Sequence, residues 1–242
     1  MAPSRTEKGS KAQKASVAGS TKAKIAKSSA KSKSVSEDKC TAKFLAKAAN
    51  KKSSHELQIL LDGFLCTPPT NKDGESTLAW TVYDGPELKN SPQKDNVWAL
   101  FETNMRDIYI EAKDPYLKWN PTKKKRELFD KKSRYIILEA EDQSDLAAFC
   151  MFRFETEENT EGTMEFVVYI YEIQVSKEFQ GLGICRRIFD ALERLGSEYQ
   201  AQLIMLTVFR CNPDAITIYK HLKFEEHDDT SDTAFVFFKA IL

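Results

Sequence analysis

The chain has 242 residues, and its 36 Lys and Arg residues balance its 36 Asp and Glu residues. The balance is a sum over two unlike parts, because residues 1–52 carry a net charge of +11 and residues 53–242 a net charge of −11. The sequence has no apolar run of the roughly 18 residues that a spanning helix needs, and it begins without an apolar stretch, so we expect neither a membrane-spanning helix nor a secretory signal.

The first segment, residues 1–39, consists largely of Lys, Ser and Ala. It has too few large apolar side chains to offset the entropy lost on ordering, so we predict a basic, disordered tail. Such a tail is either a solubilising extension or an electrostatic arm for nucleic acid, the ribosome or nuclear import. The remaining residues, 40–242, have the composition of a single globular domain.

The body begins with a helical extension. Apolar residues at helical spacing over residues 40–64, interrupted at 51–54, predict two helices, with Ser54 as the N-cap of the second. Periodicity and turn residues predict the next elements: a strand over 77–83, a helix over 97–112, an aromatic loop over 114–121 and a short charged helix over 122–132.

The second half alternates strands and helices. Strands are predicted over 134–139, 146–155, 165–175, 203–209 and 233–239, and helices over 184–199 and 214–222. An acidic loop over 157–162 joins two of the strands and indicates a hairpin. This order predicts an α/β fold, a mixed sheet with helices on both faces.

A glycine loop, Gln180-Gly181-Leu182-Gly183, follows the third of these strands and opens a helix. Glycines allow close approach of the backbone to a ligand, and the N–H groups at a helix start favour an anion such as a pyrophosphate. The tripeptide alone is equally consistent with a plain helix-entry turn. A dinucleotide-binding fingerprint is excluded because Arg186 stands where its third glycine would be, and no Gly-Lys-Ser/Thr follows as in a P-loop.

The motifs taken together resemble the GNAT acetyltransferase superfamily. The resemblance rests on a strand, the glycine loop, a helix, the strand Leu206-Thr207-Val208-Phe209, and then Asn212-x-x-Ala215-x-x-x-Tyr219 and Phe224. It implies the GNAT fold, with a mixed, mostly antiparallel sheet, and acetyl-CoA as co-substrate. Over residues 40–240 the sequence is similar to the NatD family of histone-specific N-terminal acetyltransferases, through Trp98, Thr103-Asn104-Met105, Tyr109, Phe152-Arg153-Phe154-Glu155, Tyr169-x-Tyr171-Glu172-x-Gln174 and Met205 to Phe209.

The resemblance implies a role for each matching residue. It makes Glu172 the catalytic carboxylate and Tyr171 a second catalytic residue. The implied substrate contacts are Tyr109, Glu155, Glu157, Tyr169, Tyr171, Thr207, Trp119 and Phe235. The implied acetyl-CoA contacts are Ile173, Gln174, Val175, Phe179, Gln180, Gly181, Leu182, Gly183, Ile184 and Asn212. Strand alternation would place Glu172 on the face opposite Tyr171 and Ile173.

Several positions depart from the family pattern. Glu178 stands where Arg or Gln usually begins the glycine loop, and Glu155 stands in place of Asp. The family tryptophan of the peptide site has no match at the same spacing, so either Tyr116 or Trp119 is expected to serve. Phe235 replaces a substrate-contacting tyrosine. Tyr219 is interpreted either as the acid that protonates the departing thiolate or as a core residue.

The expected function is transfer of acetyl from acetyl-CoA to the N-terminal serine of histones of the four and two-A types, which begin Ser-Gly-Arg-Gly. Three alternatives stay open: acetylation of other N-termini or of lysines, acyl-CoA binding without turnover, and a tail-driven ribosome-binding or RNA-binding protein. The five cysteines are scattered and suggest reduced thiols, so we expect a protein of the cytoplasm and nucleus. The three histidines do not cluster at zinc-binding spacing, so we expect no metal. We also expect a monomer.

Overall fold

A seven-stranded mixed sheet organises the chain in the computed structural model, which describes residues 31–65, 78–140 and 146–241, with side chains from residue 40 onward. The helices of these ranges are α1 (Lys31–Ala49), α2 (Ser54–Asp62), α3 (Gly85–Lys89), α4 (Gln93–Ala112), α5 (Pro121–Leu128), α6 (Ile184–Glu198) and α7 (Pro213–His221). The strands are β1 (Leu78–Asp84), β2 (Arg134–Ala140), β3 (Leu146–Glu158), β4 (Met164–Val175), β5 (Leu203–Phe209), β6 (Glu225–Glu226) and β7 (Ala234–Ala240).

The strand order is β1-β2-β3-β4-β5-β7-β6, and β4 and β5 are the parallel pair of this sheet. A parallel pair needs a crossover, which α6 provides. The pairing covers residues 167–170 of β4 and 203–206 of β5. Both strands continue beyond this pairing, to Val175 and Phe209, but they no longer pair with each other. The sheet therefore opens between them, and the backbone of β4 after residue 170 faces that opening.

The two largest apolar cores of the described residues lie on the two faces of the sheet. The larger core contains buried residues of α1, α2, α6 and α7, and α6 contributes Ile184, Ile188, Leu192 and Leu195 at helical spacing. The smaller core contains Leu88 of α3, together with buried residues of α4 and α5. The predicted mixed α/β sheet with helices on both faces is confirmed, and so is the helical extension that precedes it.

A β-bulge interrupts the pairing of β3 with β4. Met151 pairs with Glu172, but the next residue, Phe152, pairs with Ile170, so Tyr171 is an extra residue on β4. Such an insertion reverses the facing of every later side chain on the bulged strand.

The bulge brings Glu172 and the two tyrosines to one face. Before it, Ile170 lies in the larger core, and after it Ile173 packs against that same core. Glu172 reaches Lys124 of α5, and the ring of Tyr171 packs against the smaller core that α4 and α5 cover. The expectation that Glu172 faces away from Tyr171 is therefore wrong, because strict alternation does not survive an inserted residue.

Local differences from the predicted elements have simple causes. The N-cap of α2 is Ser53, which forms a capping box with Glu56, whereas Ser54 donates a hydrogen bond to Glu87 at 2.7 Å. Asp84 caps the short helix α3, which was not predicted, in the same way. α1 begins at Lys31, inside the predicted tail, while residues 1–30 of that tail lie outside the described ranges.

Gly85 offers a stability test because the backbone of residue 130 passes directly over it. An added Cβ would lie 2.0 Å from the carbonyl oxygen of Asp130. Gly85→Ala is expected to destabilise the protein by about 1–3 kcal/mol, as overpacking of a backbone does. Chemical denaturation measures the loss, and Gly63→Ala, whose nearest contact is 3.6 Å, is the control with little change. Equal stability of the two variants would contradict this packing.

Candidate active site

A cavity of about 930 Å³ fills the opening between β4 and β5. One end is lined by Tyr169, Tyr171 and Glu172, and the other by the glycine loop and α7. A cavity of this size in a sheet opening is suited to a small-molecule ligand and an extended segment of a second reactant.

The tyrosine end is held by a network of polar contacts. The hydroxyl of Tyr169 shares a hydrogen bond of 2.6 Å with Thr207 Oγ1 across the opening, and the rings of Tyr169 and Tyr171 lie 5.1 Å apart. Tyr171 donates a hydrogen bond of 3.3 Å to Glu155 Oε1, while the Arg153 guanidinium lies 4.4 Å from its ring centre. Burial raises the pKa of Tyr169 to about 12, and it raises that of Tyr171 as well, so both are neutral phenols at physiological pH.

Glu172 is 6% exposed, and a separate donor holds each of its carboxylate oxygens. Lys124 Nζ lies 2.5 Å from Oε1, and Gln174 Nε2 donates to Oε2 at 3.0 Å. Asn104 of α4 in turn donates to Gln174 Oε1 at 3.1 Å, which fixes the orientation of the Gln174 amide. The carboxylate is therefore oriented by groups from three elements.

Burial raises the pKa of Glu172, although the ammonium of Lys124 and the Gln174 amide act against it. Burial would lower the pKa of Lys124, but the carboxylates of Glu172 and Glu127 reverse the effect and raise it well above its usual value. One ammonium thus stands between two carboxylates. A carboxylate with a raised pKa in a cavity is suited to act as a general base.

The aromatic residues of α4 and the following loop form the wall behind this end. The ring of Tyr109 lies 4.9 Å from that of Phe209 and 5.8 Å from that of Trp119. Trp119 also stacks on Phe101 at 6.0 Å, whereas Tyr116 is 85% exposed. Of the two expected aromatic candidates, Trp119 is therefore the one that the fold brings to Tyr109.

The remaining predicted substrate residues divide between the two faces. Glu155 is buried on β3, and Glu157, two residues further on, shares its face. Burial is the main cause of the raised pKa of Tyr169, and the two carboxylates raise it further. Phe235 is on the other face: it pairs with Val208, packs against the larger core and lies 3.7 Å from the Arg210 guanidinium. The structure does not bring Phe235 to the tyrosine end.

The glycine loop forms the other end of the cavity. Gly181 and Gly183 have φ angles of 84° and 74°, and a Cβ on either would meet no protein atom within 4 Å. α6 begins directly after the loop without a side-chain cap, and its first residues, Ile184, Cys185 and Arg186, line the cavity. Open glycines, a helix start without a side-chain cap and a cation together fit a pyrophosphate. Glu178, the unfavourable carboxylate of this loop, does not line the cavity.

The other predicted cofactor residues lie along the same cavity. Asn212 caps α7 by accepting from the N–H of Ala215, and Gln180 donates to the carbonyl of Val175 at 3.3 Å. Leu182 instead packs against the larger core. The cavity is lined by the predicted residues Ile173, Gln174, Val175, Phe179, Gln180, Gly181, Gly183, Ile184 and Asn212.

Two residues of the site, Lys124 and Glu127, were not predicted, because α5 has the composition of a solvated, charged helix. Their spacing could have indicated them. Lys124 and Glu127 are three residues apart and Leu128 is buried, so all three side chains lie on one side of the helix. Tyr219 is buried, lines the cavity and also contacts core aromatics, the nearest being Phe189 with ring centres 5.9 Å apart.

Residues 97–224 match the acetyltransferase (GNAT) family, and the chain belongs to that family. It is an acetyl-CoA-dependent acetyltransferase. Similar solved structures include Ard1 from Thermoplasma volcanium (16% identity over 68% of this chain and 99% of that one, TM-score 0.45) and Arabidopsis thaliana NAA60 in complex with a bisubstrate analogue (15% identity over 69% and 100%, TM-score 0.46). Another is the NatC complex bound to Gag peptide and CoA (13% identity over 68% and 99%, TM-score 0.48).

Within the described ranges, no cluster of three or more His, Cys, Asp or Glu side chains is arranged to hold a metal ion. In the same ranges, no helix is long and apolar enough to cross a membrane. Four cysteines there (Cys40, Cys150, Cys185 and Cys211) are free thiols, and Cys66 lies outside them.

Gly183→Ala tests the cofactor end. A side chain at a positive φ costs about 1–2 kcal/mol, and relief of that strain turns the N–H groups of the loop away from the anion. We expect the Kd for CoA, measured by calorimetry, to rise roughly tenfold or more. Gly162→Ala in the β3–β4 hairpin is the matched control, because its φ of 79° gives the same strain far from the cavity. A CoA affinity that falls equally in both variants would argue against the assignment.

Proposed function

We propose that the protein acetylates the N-terminal serine of histones of the four and two-A types, whose chains begin Ser-Gly-Arg-Gly. The observation that carries the proposal is the hydrogen bond from Tyr171, the residue before Glu172, to Glu155. Through this bond the strand residue next to Glu172, a buried carboxylate suited to serve as a base, is held against Glu155, an acidic position suited to bind a basic residue of the substrate. The resemblance of these same motifs to the NatD family supports the proposal.

The acetyl group comes from acetyl-CoA as a thioester. The chain's own task is to bind the acceptor amine, remove one proton and polarise the thioester carbonyl. An α-amino group has a pKa of about 7.7–8.0, against about 10.4 for lysine, so a sizeable fraction is already neutral in the cell. Glu172 takes the remaining proton, directly or through one water molecule. Backbone N–H groups of β4 beyond residue 170, unpaired with β5, supply hydrogen bonds for the carbonyl oxygen.

The acidic residues of β3 provide the specificity in this proposal. Glu155 is fixed by Tyr171, and Glu157 lies on the same face, so a substrate arginine that reaches them gains charge-assisted hydrogen bonds. The net charge of −11 over residues 53–242 attracts a basic substrate from a distance.

The proposal extends to the rest of the chain. Histone N-terminal tails are the partners, and the basic residues 1–39 serve as an arm for the ribosome or nucleic acid, in a monomer that works in cytoplasm and nucleus. Acetylation of other N-termini or of lysines on the same site is the alternative. It predicts transfer to a peptide whose N-terminus is blocked.

The test of function compares a Ser-Gly-Arg-Gly-Lys peptide with a free N-terminus and the same peptide with an acetylated one. Mass spectrometry is expected to detect one added acetyl group on the free peptide and none on the blocked peptide, because the lysine amine is mostly protonated. Glu172→Gln removes the base and is expected to reduce kcat by roughly a hundredfold or more. Transfer to the blocked peptide, or an undiminished variant, would overturn the proposal.

The arginine site is tested with the double substitution Glu155→Gln and Glu157→Gln. A hydrogen bond to a charged group contributes about 1.5–3 kcal/mol, so the loss of even one such bond is expected to raise KM for Ser-Gly-Arg-Gly by roughly tenfold to a hundredfold, and the loss of both by more. A Ser-Gly-Ala-Gly peptide lacks the guanidinium and should be affected little. Glu161→Gln, at the exposed tip of the same hairpin, is the control for lost surface charge. An equal loss for both peptides would show that the two acids do not read the arginine.

A further inference from the structure

Lys124 is a buried cation inside the acetyl-transfer site. It belongs to a run of basic residues on α5, but its side chain is only 11% exposed. Its Nζ lies 2.5 Å from Glu172 Oε1, and it is 5.2 Å and 5.7 Å from the ring centres of Phe101 and Tyr109. Aromatic faces on one side and a carboxylate on the other define a built site for this ammonium.

A second carboxylate shares the same ammonium. Glu127, one turn further along α5, also contacts Lys124 Nζ and lines the cavity. The three side chains carry a net charge of −1, in a place where water screens charges poorly. The two carboxylates compete for one cation. A change to Lys124 or to Glu127 therefore alters how easily Glu172 takes a proton.

We propose that Lys124 is a positioning residue for acetyl transfer, which keeps Glu172 ionised and correctly aimed, and that Glu127 limits this effect by sharing the ammonium. The inference rests on the proposed role of Glu172 as the base. It assigns no contact between Lys124 and the acceptor amine, so Lys124 acts through Glu172.

Several titratable groups that face Glu172 are uncharged near neutral pH, so they do not obscure the influence of Lys124 and Glu127 on its pKa. Burial raises the pKa of the other titratable groups that face it, which leaves them uncharged near neutral pH: Tyr109 of α4, Tyr135 of β2, Cys150 of β3 and Tyr219 of α7. Of the charged groups, Lys124 lowers the pKa of Glu172 and Glu127 raises it. The nearby charges of Arg153 and Glu155 lie at the ring and the hydroxyl of Tyr171. Opposite shifts are therefore expected when each is neutralised.

The first measurement is the pH profile of kcat and kcat/KM for Lys124→Met on the free-amine peptide. Loss of the cation raises the pKa of Glu172, so the variant should lose roughly a hundredfold in kcat near pH 6.5 and recover much of it near pH 9. The titration of the peptide amine is common to both enzymes and cancels in their ratio. Lys125→Met is the matched control, because its Nζ lies 4.4 Å over the ring of Trp98 and it should keep the wild-type profile.

The second measurement uses Glu127→Gln, which leaves the ammonium to Glu172 alone. The acid limb of its profile should move to lower pH, opposite to that of Lys124→Met. This variant also keeps the inference testable if circular dichroism finds Lys124→Met unfolded. A loss in Lys124→Met that is the same at every pH, or a Glu127→Gln shift in the same direction, would overturn the inference alone. A wild-type enzyme without transfer to the free peptide would overturn the proposed function, and this inference with it.

Discussion

The inserted residue at Tyr171 is the constraint on which the rest of the site depends. β4 has to pair with β3 along its whole length, leave β5 after residue 170, and present both tyrosines and the carboxylate to the opening. An unbroken strand cannot meet the last demand, since neighbouring side chains would face opposite ways. The bulge meets it by turning Glu172 and Gln174 to the side of α4 and α5, while Ile173 keeps its place in the larger core.

Burying Glu172 is costly unless partners compensate for its lost hydration. Lys124, Gln174 and, behind the latter, Asn104 provide that compensation from three elements, so the carboxylate depends on the packing of α4 and α5 against the sheet. The glycine loop depends on the same strand, because it follows directly from the end of β4. A single strand thus places the proposed base at one end of the cavity and the proposed anion site at the other.

Much of this arrangement could be predicted from the sequence, because apolar periodicity marks the helices and strands and the glycine loop marks the start of α6. The bulge could not, since no residue type demands it and a period of two is the natural assumption for a run such as Val167 to Val175. Phe235 shows a related limit: it aligns with a substrate residue, yet the register of β7 turns it into the larger core. Lys124 was missed because composition alone does not tell a buried ammonium from its exposed neighbours on α5.

We expect the bulge to place Glu172 where the acceptor amine lies. A crystal structure of the protein with a Ser-Gly-Arg-Gly peptide joined through its amine to CoA measures this directly. We expect the joined nitrogen to lie between β4 and β5, about 2.6–3.2 Å from a Glu172 oxygen or one water molecule away. A nitrogen on the other face of the sheet, or beyond the reach of Glu172 and a bridging water, would contradict it.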